Sequence, residues 1–327
     1  MQIAIVGGGY IVPEFWRAAD ATAAVRVCGI WARRAEVREE LAAAHGVTAY
    51  PTYEALLADP AVEAIYLALS NTAHYAYAMR ALAAGKHILI EKPVTVQADN
   101  ARALFAEAEK RGRIVFEMIT NRYNPFCDEI AARLPELGAI RLAQLNYSQY
   151  SSRYDAFCSG QIHPVFNPAM GGGTLLDLNV YNIHLAVRWF GRPSRVTYAA
   201  NVVRGIDVSG VVLLEYPGMI CTCTASKDTS GPCGAAIQGE KGYIHSTAPT
   251  NLLDSYTVQL RGAEPESYVR EKRASRMCDE LDAFCAHYAA KDDAWFAGQT
   301  AHSMAVMEVL DAARRGAGVE PAADLQP

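Results

Sequence analysis

No apolar run in these 327 residues approaches the ~20 that a membrane helix needs, so no segment reads as a membrane span. Only Met1 and Gln2 precede the apolar run Ile3-Ala4-Ile5-Val6, and glycine follows at once. A secretory leader needs a basic start and a longer apolar stretch, so the expected location is the cytoplasm. Basic residues are fewer than acidic ones, 30 Lys+Arg against 35 Asp+Glu, a net charge of −5 without a basic run. That balance argues against a nucleic-acid partner, while a local basic pocket for one phosphate stays allowed. The eight cysteines, at 28, 127, 158, 221, 223, 233, 278 and 285, include no C-x-x-C and no zinc-like spacing. Cys221 and Cys223 lie two apart in a strand-like run, so they face the same way and are poorly placed to bond each other. They read as reduced thiols packed as small hydrophobes. Internal repeats and low-complexity segments are also missing.

What is present is a globular composition, 51% hydrophobic and 20% charged, which excludes disorder. At about 150 residues per domain the length points to two domains. The first 120 residues alternate short apolar runs (3–6, 25–30, 64–69, 87–90, 114–118) with helical stretches (12–21, 35–45, 53–57, 74–83, 98–110). Strands that read as continuous apolar runs are buried on both faces. Their alternation with helices predicts a doubly wound parallel sheet over residues 1–120.

Residues 121–327 follow a different pattern. A helix near 126–134 leads into a long strand, 140–149, and a loop rich in Tyr, Ser, Gly, Asn and Pro from 150 to 173. A helix over 174–190 precedes strand-like runs at 195–203, 209–216, 219–226, 234–238, 242–246 and 255–260, joined by turns such as Tyr216-Pro217-Gly218. This predicts an α/β domain with a large open, mostly antiparallel sheet. Two last helices, near 275–290 and 298–315, can pack back on the first domain, and the tail from Gly316 is expected to be loosely held.

Gly7-Gly8-Gly9-Tyr10-Ile11-Val12 follows the first strand and opens a helix. A dinucleotide site needs glycine there for the tight turn (Gly7) and for approach of the pyrophosphate to the backbone (Gly9). Val12 stands at the third glycine position, so the match is partial. After the second strand comes Gly29-Ile30-Trp31-Ala32-Arg33-Arg34, without the acid that binds the ribose hydroxyls of NAD. Arginine there suits a 2′-phosphate, which favours NADP over NAD. The candidate cofactor set is Gly7, Gly9, Tyr10, Ile11, Arg33, Arg34, Ser70, Asn71, His74, Glu91 and Lys92.

Three further motifs occur in order: Ala84-Gly85-Lys86-His87 with an apolar strand and Glu91-Lys92-Pro93; Gly171-Gly172-Gly173-Thr174-Leu175-Leu176-Asp177; and Gly239-Glu240-Lys241-Gly242. Together they resemble the glucose–fructose oxidoreductase / inositol dehydrogenase / rhizopine catabolism (Gfo/Idh/MocA) family across nearly the whole chain. The resemblance implies a Rossmann domain, a C-terminal α/β domain, and hydride transfer to or from sugars, polyols and similar compounds. It also implies a catalytic role for Lys92. That role agrees with the residue's position, since α/β sheets place ligands at the C-terminal ends of their strands.

Asp177, Tyr181 and His184 are spaced i, i+4, i+7, which on an α-helix places them on one face. Leu176, Val180, Ile183 and Val187 form an apolar stripe beside them. A polar stripe next to a core stripe can border a cleft. Many family members carry histidine where Tyr181 stands. The tyrosine resembles the glucose–fructose oxidoreductase and dihydrodiol dehydrogenase branches, and it is read as the acid/base. Lys92, Tyr181 and Asp177 form the expected catalytic set. Lys92, Arg122, Tyr123, Tyr150, Tyr181 and His184 form the expected substrate contacts. His184 reads equally as a core histidine, and the tyrosines near 150 equally as a subunit interface. Hydride transfer to nicotinamide needs no metal, so none is expected. The leading expectation is an NAD(P)-dependent oxidoreductase that forms a homodimer or homotetramer. An NAD-dependent glycosidase and a nucleotide-binding sensor are the alternatives.

Overall fold

The computed structural model describes residues 1–317, 319 and 322–327. The chain forms two compact units: Met1–Met118 with Arg273–Met304 and Ala323–Pro327, and Ile119–Lys272 with Ala305–Ala322. The division is therefore not continuous along the sequence.

The first unit holds six strands: β1 (Gln2–Val6), β2 (Arg26–Trp31), β3 (Thr48–Ala49), β4 (Ala64–Leu67), β5 (His87–Glu91) and β6 (Val115–Met118). All pair in parallel, in the order β3-β2-β1-β4-β5-β6. Ile3, Ile5, Ile65, Leu67, Ile88 and Ile90 are completely buried. Burying each such side chain stabilises the sheet by about 1.5–3 kcal/mol. Five helices connect the strands: α1 (Val12–Asp20), α2 (Ala35–His45), α3 (Tyr53–Ala58), α4 (His74–Ala83) and α5 (Ala98–Lys110). The strand order reverses between β1 and β4. At such a switch point the loops diverge and open a crevice for a ligand.

The second unit holds α6 (Pro125–Arg133), α7 (Tyr154–Cys158), α8 (Val180–Phe190) and eight strands. The strands are β7 (Ile140–Ser148), β8 (Arg195–Val203), β9 (Ile206–Tyr216), β10 (Met219–Ser226), β11 (Gly234–Gly239), β12 (Gly242–Ser246), β13 (Ser255–Leu260) and β14 (Glu266–Val269). Their order is β14-β13-β12-β11-β7-β10-β9-β8, antiparallel throughout except for the parallel pair β7–β10. One face, with Ala143, Leu145, Val212, Leu214, Cys221 and Cys223, is buried beneath α8. Both cysteines thus share the inner face, and all eight cysteines are free. After this unit's strands come α9 (Cys278–Ala290) and α10 (Asp293–Ala317).

Three expectations need correction. The stretch 150–173 is not a plain loop: it contains α7 and 3-10 turns at Pro164–Phe166 and Pro168–Met170. Phe157 and Phe166 stack there at 4.9 Å and bury themselves on Ile206 and Val208. The tail is not loose at its far end, because Asp324 is 3% exposed. Its carboxylate accepts from the Val96 amide (3.0 Å), the Gln97 amide (3.1 Å) and Asn100 Nδ2 (2.9 Å). Gly318, Glu320 and Pro321 lie outside the described residues. Finally, the helix expected over 174–190 opens with a π-turn, Leu175–Asn179, and becomes α-helical only at Val180.

Candidate active site

In the first unit the glycine turn has the shape that its sequence predicts. Gly7 adopts φ +129° and donates its amide to the Trp31 carbonyl at 2.9 Å. A Cβ at Gly7 would come within 2.1 Å of the Ala68 carbonyl oxygen, whereas one at Gly9 would meet nothing within 4 Å. The backbone at Gly9 is therefore open to close approach by a ligand. Helix α1 begins just beyond, with Ile11 as an N-cap that supplies no side-chain hydrogen bond. Pro13 has no amide, and those of Val12, Glu14 and Phe15 donate to the carbonyls of Gly9 and Ile11, so a phosphate there would meet the helix dipole and the backbone of the glycine turn. Tyr10 is exposed beside them.

Trp31 closes β2 where an NAD site would place an acid, and Arg33 and Arg34 are both exposed beyond it. An open glycine cradle, a helix start and two arginines in place of an acid fit NADP. Ser70 and Asn71 follow β4, half-buried, and Asn71 opens a short 3-10 turn.

His74 does not fit the cofactor role expected of it. It is completely buried, with Nδ1 2.9 Å from the Pro93 carbonyl and Nε2 3.3 Å from that of Leu69. Burial pushes its pKa down, so the ring is neutral and has one proton to donate. The shorter contact takes that proton. His74 thus ties the chain after β4 to the chain after β5.

Glu91 ends β5, and its Oε1 accepts from the Tyr66 hydroxyl at 2.6 Å. Burial raises its pKa, against the opposing pull of Tyr66, Lys92 and Arg276. Lys92 follows immediately, half-buried, at the C-terminal end of this central strand. The Lys92–Pro93 bond is cis. Glu117 Oε1 accepts from the Val94 amide at 3.3 Å. Lys92 therefore stands on a backbone held on its C-terminal side by His74 and Glu117.

In the second unit the π-turn modifies the expected helical face. Its i→i+5 bonding widens the turn that carries Asp177, so the angle about the axis between Asp177 and Tyr181 differs from that of a regular α-helix. Buried polar contacts fix this geometry. Asp207 Oδ2 accepts from the Leu175 amide (2.6 Å) and the Tyr198 hydroxyl (2.7 Å). Burial raises the Asp207 pKa. Asn179 donates to the Cys223 carbonyl (2.9 Å), and Asn182 to Asn179 Oδ1 (2.8 Å) and the Thr224 carbonyl (2.9 Å). Thr250 donates to Asn182 Oδ1 (2.7 Å), while Asn121 donates to the carbonyls of Tyr181 (2.9 Å) and Thr250 (3.0 Å).

Tyr181 is buried, with its ring edge-on to Tyr147 at 5.8 Å. His184 is completely buried, which favours the core histidine of the two readings its position allows. Asp177 is paired with a residue that the sequence did not single out: Lys227 Nζ lies 2.7 Å from its Oδ2. Arg122 is mostly buried over the Tyr123 ring, and reaches Asp128 at 3.5 Å. Tyr150 is exposed, and its hydroxyl donates to Asp155 Oδ1 at 2.5 Å. Asp207, Lys227, Tyr147, Asn179 and Asn182 were missed. Asp207 carried one signal, an acid inside the apolar strand run Ile206–Val208.

A parallel nucleotide-type sheet with a glycine cradle, followed by a domain with a large open sheet, defines a two-domain dinucleotide-dependent oxidoreductase. Residues 1–118 match the family model "Oxidoreductase family, NAD-binding Rossmann fold", and residues 133–245 match "GFO/IDH/MocA C-terminal domain". The chain is 32% identical over 248 residues to scyllo-inositol 2-dehydrogenase (NADP(+)) IolU of Bacillus subtilis, covering 75% of each chain. It is 32% identical over 256 residues to the trans-1,2-dihydrobenzene-1,2-diol dehydrogenase of Oryctolagus cuniculus, again covering 75% of each. Its fold matches KijD10, a 3-ketoreductase from Actinomadura kijaniata in complex with NADP and TDP-benzene. The TM-score there is 0.83 at 23% identity, over 97% of this chain and 98% of that one. The chain belongs to the Gfo/Idh/MocA family and is an NAD(P)-dependent oxidoreductase.

Proposed function

We propose that this protein is an NADP-preferring dehydrogenase or reductase of sugars, cyclic polyols or related hydroxy and carbonyl compounds. The reading of the substrate is supported by its relatives, which act on an inositol, a dihydrobenzenediol and, in Haloferax volcanii, D-xylose. The cofactor preference is supported by Arg33 and Arg34 after a β2 that ends in Trp31. Bound nicotinamide supplies the hydride donor or acceptor. Lys92 donates a hydrogen bond to the substrate oxygen, Tyr181 exchanges the proton at that oxygen, and Asp177 orients them by its charge. Arg122, Tyr123 and Tyr150 contact the substrate's remaining hydroxyls. The protein works in the cytoplasm as a homo-oligomer joined through the open face of its large sheet.

The observation that carries this reading is Lys92 at the end of central strand β5, on a backbone secured through Pro93 and Val94. The test is a screen of inositols, aldoses and aromatic diols with each cofactor, following absorbance of the reduced nicotinamide. Turnover of at least one polyol with NADP is expected. Turnover with NAD alone would overturn the preference, and no turnover of any hydroxy compound would overturn the substrate class.

A further inference from the structure

We propose that Lys227 is a positioning residue for this reaction, holding Asp177 ionised and in place from beneath. The inference rests on the role given to Asp177 above. Lys227 follows β10 directly and is only 2% exposed. Its Nζ lies 2.7 Å from Asp177 Oδ2 and 2.8 Å from the Val165 carbonyl, and 4.4 Å from the centroid of the Phe166 ring. An ammonium has three donors. Here two meet oxygen atoms and an aromatic face covers the group as well.

The backbone of Lys227 is held as well. Its amide donates to the Val208 carbonyl at 2.8 Å, and its carbonyl accepts from the Ser151 amide at 2.9 Å. The ammonium therefore cannot follow a moving carboxylate; it defines where the carboxylate sits. A buried ion pair adds little net stability over an apolar pair of the same shape, because desolvating two charges offsets their attraction. A role in aiming Asp177 accounts for a charge at this position, and stability alone does not.

The pairing also limits what Asp177 does. A carboxylate against an ammonium is a poor proton acceptor, so Asp177 contributes charge and orientation while the proton moves elsewhere. Oδ2 is committed to Lys227. The side chain stays 20% exposed. Lys227 also binds the 3-10 turn Pro164–Phe166, so the aim of Asp177 is coupled to the packing of the 150–173 segment.

The test is a double-mutant cycle with the NADP-loaded enzyme, using Asp177→Asn, Lys227→Met and the pair. Lys227→Met alone should lower kcat by up to on the order of 100-fold, the scale of a misplaced reacting group, and leave the KM for NADP unchanged. Adding Lys227→Met to Asp177→Asn should change kcat little further. Lys227→Arg, which keeps the charge, should recover part of the loss. Independent, multiplying losses would overturn the role of Lys227 and leave that of Asp177 intact. Wild-type kcat in Asp177→Asn would overturn the Asp177 assignment and this proposal together. If Lys227→Met alone fails to fold, the pair removes both charges and carries the test. A kcat equal to that of Asp177→Asn supports the proposal, and a further large fall overturns it.

Discussion

His74 Nδ1 lies 2.9 Å from the carbonyl oxygen of Pro93, one residue beyond Lys92. The ring has no exposed surface, and both its nitrogens face backbone carbonyls. Replacing it with leucine leaves the buried Pro93 carbonyl without its donor. His74→Leu should lower stability by about 1–3 kcal/mol, the cost of an unsatisfied buried polar group. It should also lower kcat, because the backbone beside Lys92 is released, with NADP affinity unchanged. Denaturant unfolding and calorimetry separate the two readings. A large loss of NADP affinity at normal stability would show that the ring serves the cofactor directly.

His87 ties stability to pH. Its Nδ1 accepts from the Ile114 amide at 3.1 Å, a contact that needs the neutral ring. Burial, then the charge of Arg113, push its pKa down to about 4. Between about 6.5 and that value the unfolded chain binds a proton that the folded chain does not, so stability falls as pH falls. The full contribution is present above the unfolded pKa. His74, also shifted down by burial, acts in the same direction. The urea midpoint should decline from pH 6.5 towards pH 4, and His87→Gln should flatten part of that decline. An unchanged slope in His87→Gln would refute the assignment.

The periodic elements were legible in the sequence, and the contacts that shape the site were not. Helices 35–45, 74–83 and 98–110 occur over those same residues, because a buried apolar face or a glycine just beyond the helix end marks them locally. The π-turn at Leu175–Asn179 has no local signal. It depends on Asp207, 32 residues away, and on a strand carbonyl, 44 residues away. Lys227 sits in Ser226-Lys227-Asp228, which reads as a solvated turn until the fold buries it against Phe166. The short edge strand β14 carries mostly exposed residues and lacks an apolar alternation to reveal it. The glycine turn was legible because its residue type answers a backbone demand at a fixed point in the chain.

Arg33 and Arg34 should set the cofactor preference. A hydrogen bond from guanidinium to a phosphate is worth roughly 1.5–3 kcal/mol, about 10- to 150-fold in affinity. Arg33→Ala and Arg34→Ala should together weaken NADP by at least that range while leaving NAD nearly unaffected, since NAD lacks the 2′-phosphate. Calorimetry with both nucleotides measures this. Equal losses for the two cofactors would mean that the arginines do not read the phosphate.

The outer face of the large sheet should carry self-association. Ile220 pairs with Leu142 and Glu215, Thr222 with Gln144 and Leu213, and Thr224 with Asn146 and Val211. Apart from Glu215, which faces Arg195 at 3.5 Å, these outward side chains are uncharged, and Val211 and Ile220 remain 38% and 45% exposed. A mostly uncharged, partly apolar surface whose one acid is already paired is stabilised by a second copy of itself. Thr222→Arg places a charge at its centre without touching the buried face. Sedimentation should show an oligomer for the native chain and a monomer for the variant. A monomeric native chain at micromolar concentration would refute the interface.

Tyr181 should matter through its hydroxyl more than through its ring. The ring is buried edge-on against Tyr147, and the backbone carbonyl is held by Asn121. Tyr181→Phe preserves both contacts and deletes only the acid/base group. Stability and NADP affinity should stay near native, while kcat falls by about 10²–10⁴-fold, the usual contribution of a general acid or base. Tyr181→His supplies a titrating group at the same helix position, one whose ordinary pKa lies near 6.5 and not near 10. It should retain more activity than Tyr181→Phe and move the pH profile towards acid. Lys92→Ala should lower kcat and raise the substrate KM, because it removes a hydrogen bond to the substrate itself. Native turnover in Tyr181→Phe would reduce the phenol to packing. The buried His184 offers no replacement on that helix, so the proton would then have to pass through Lys92.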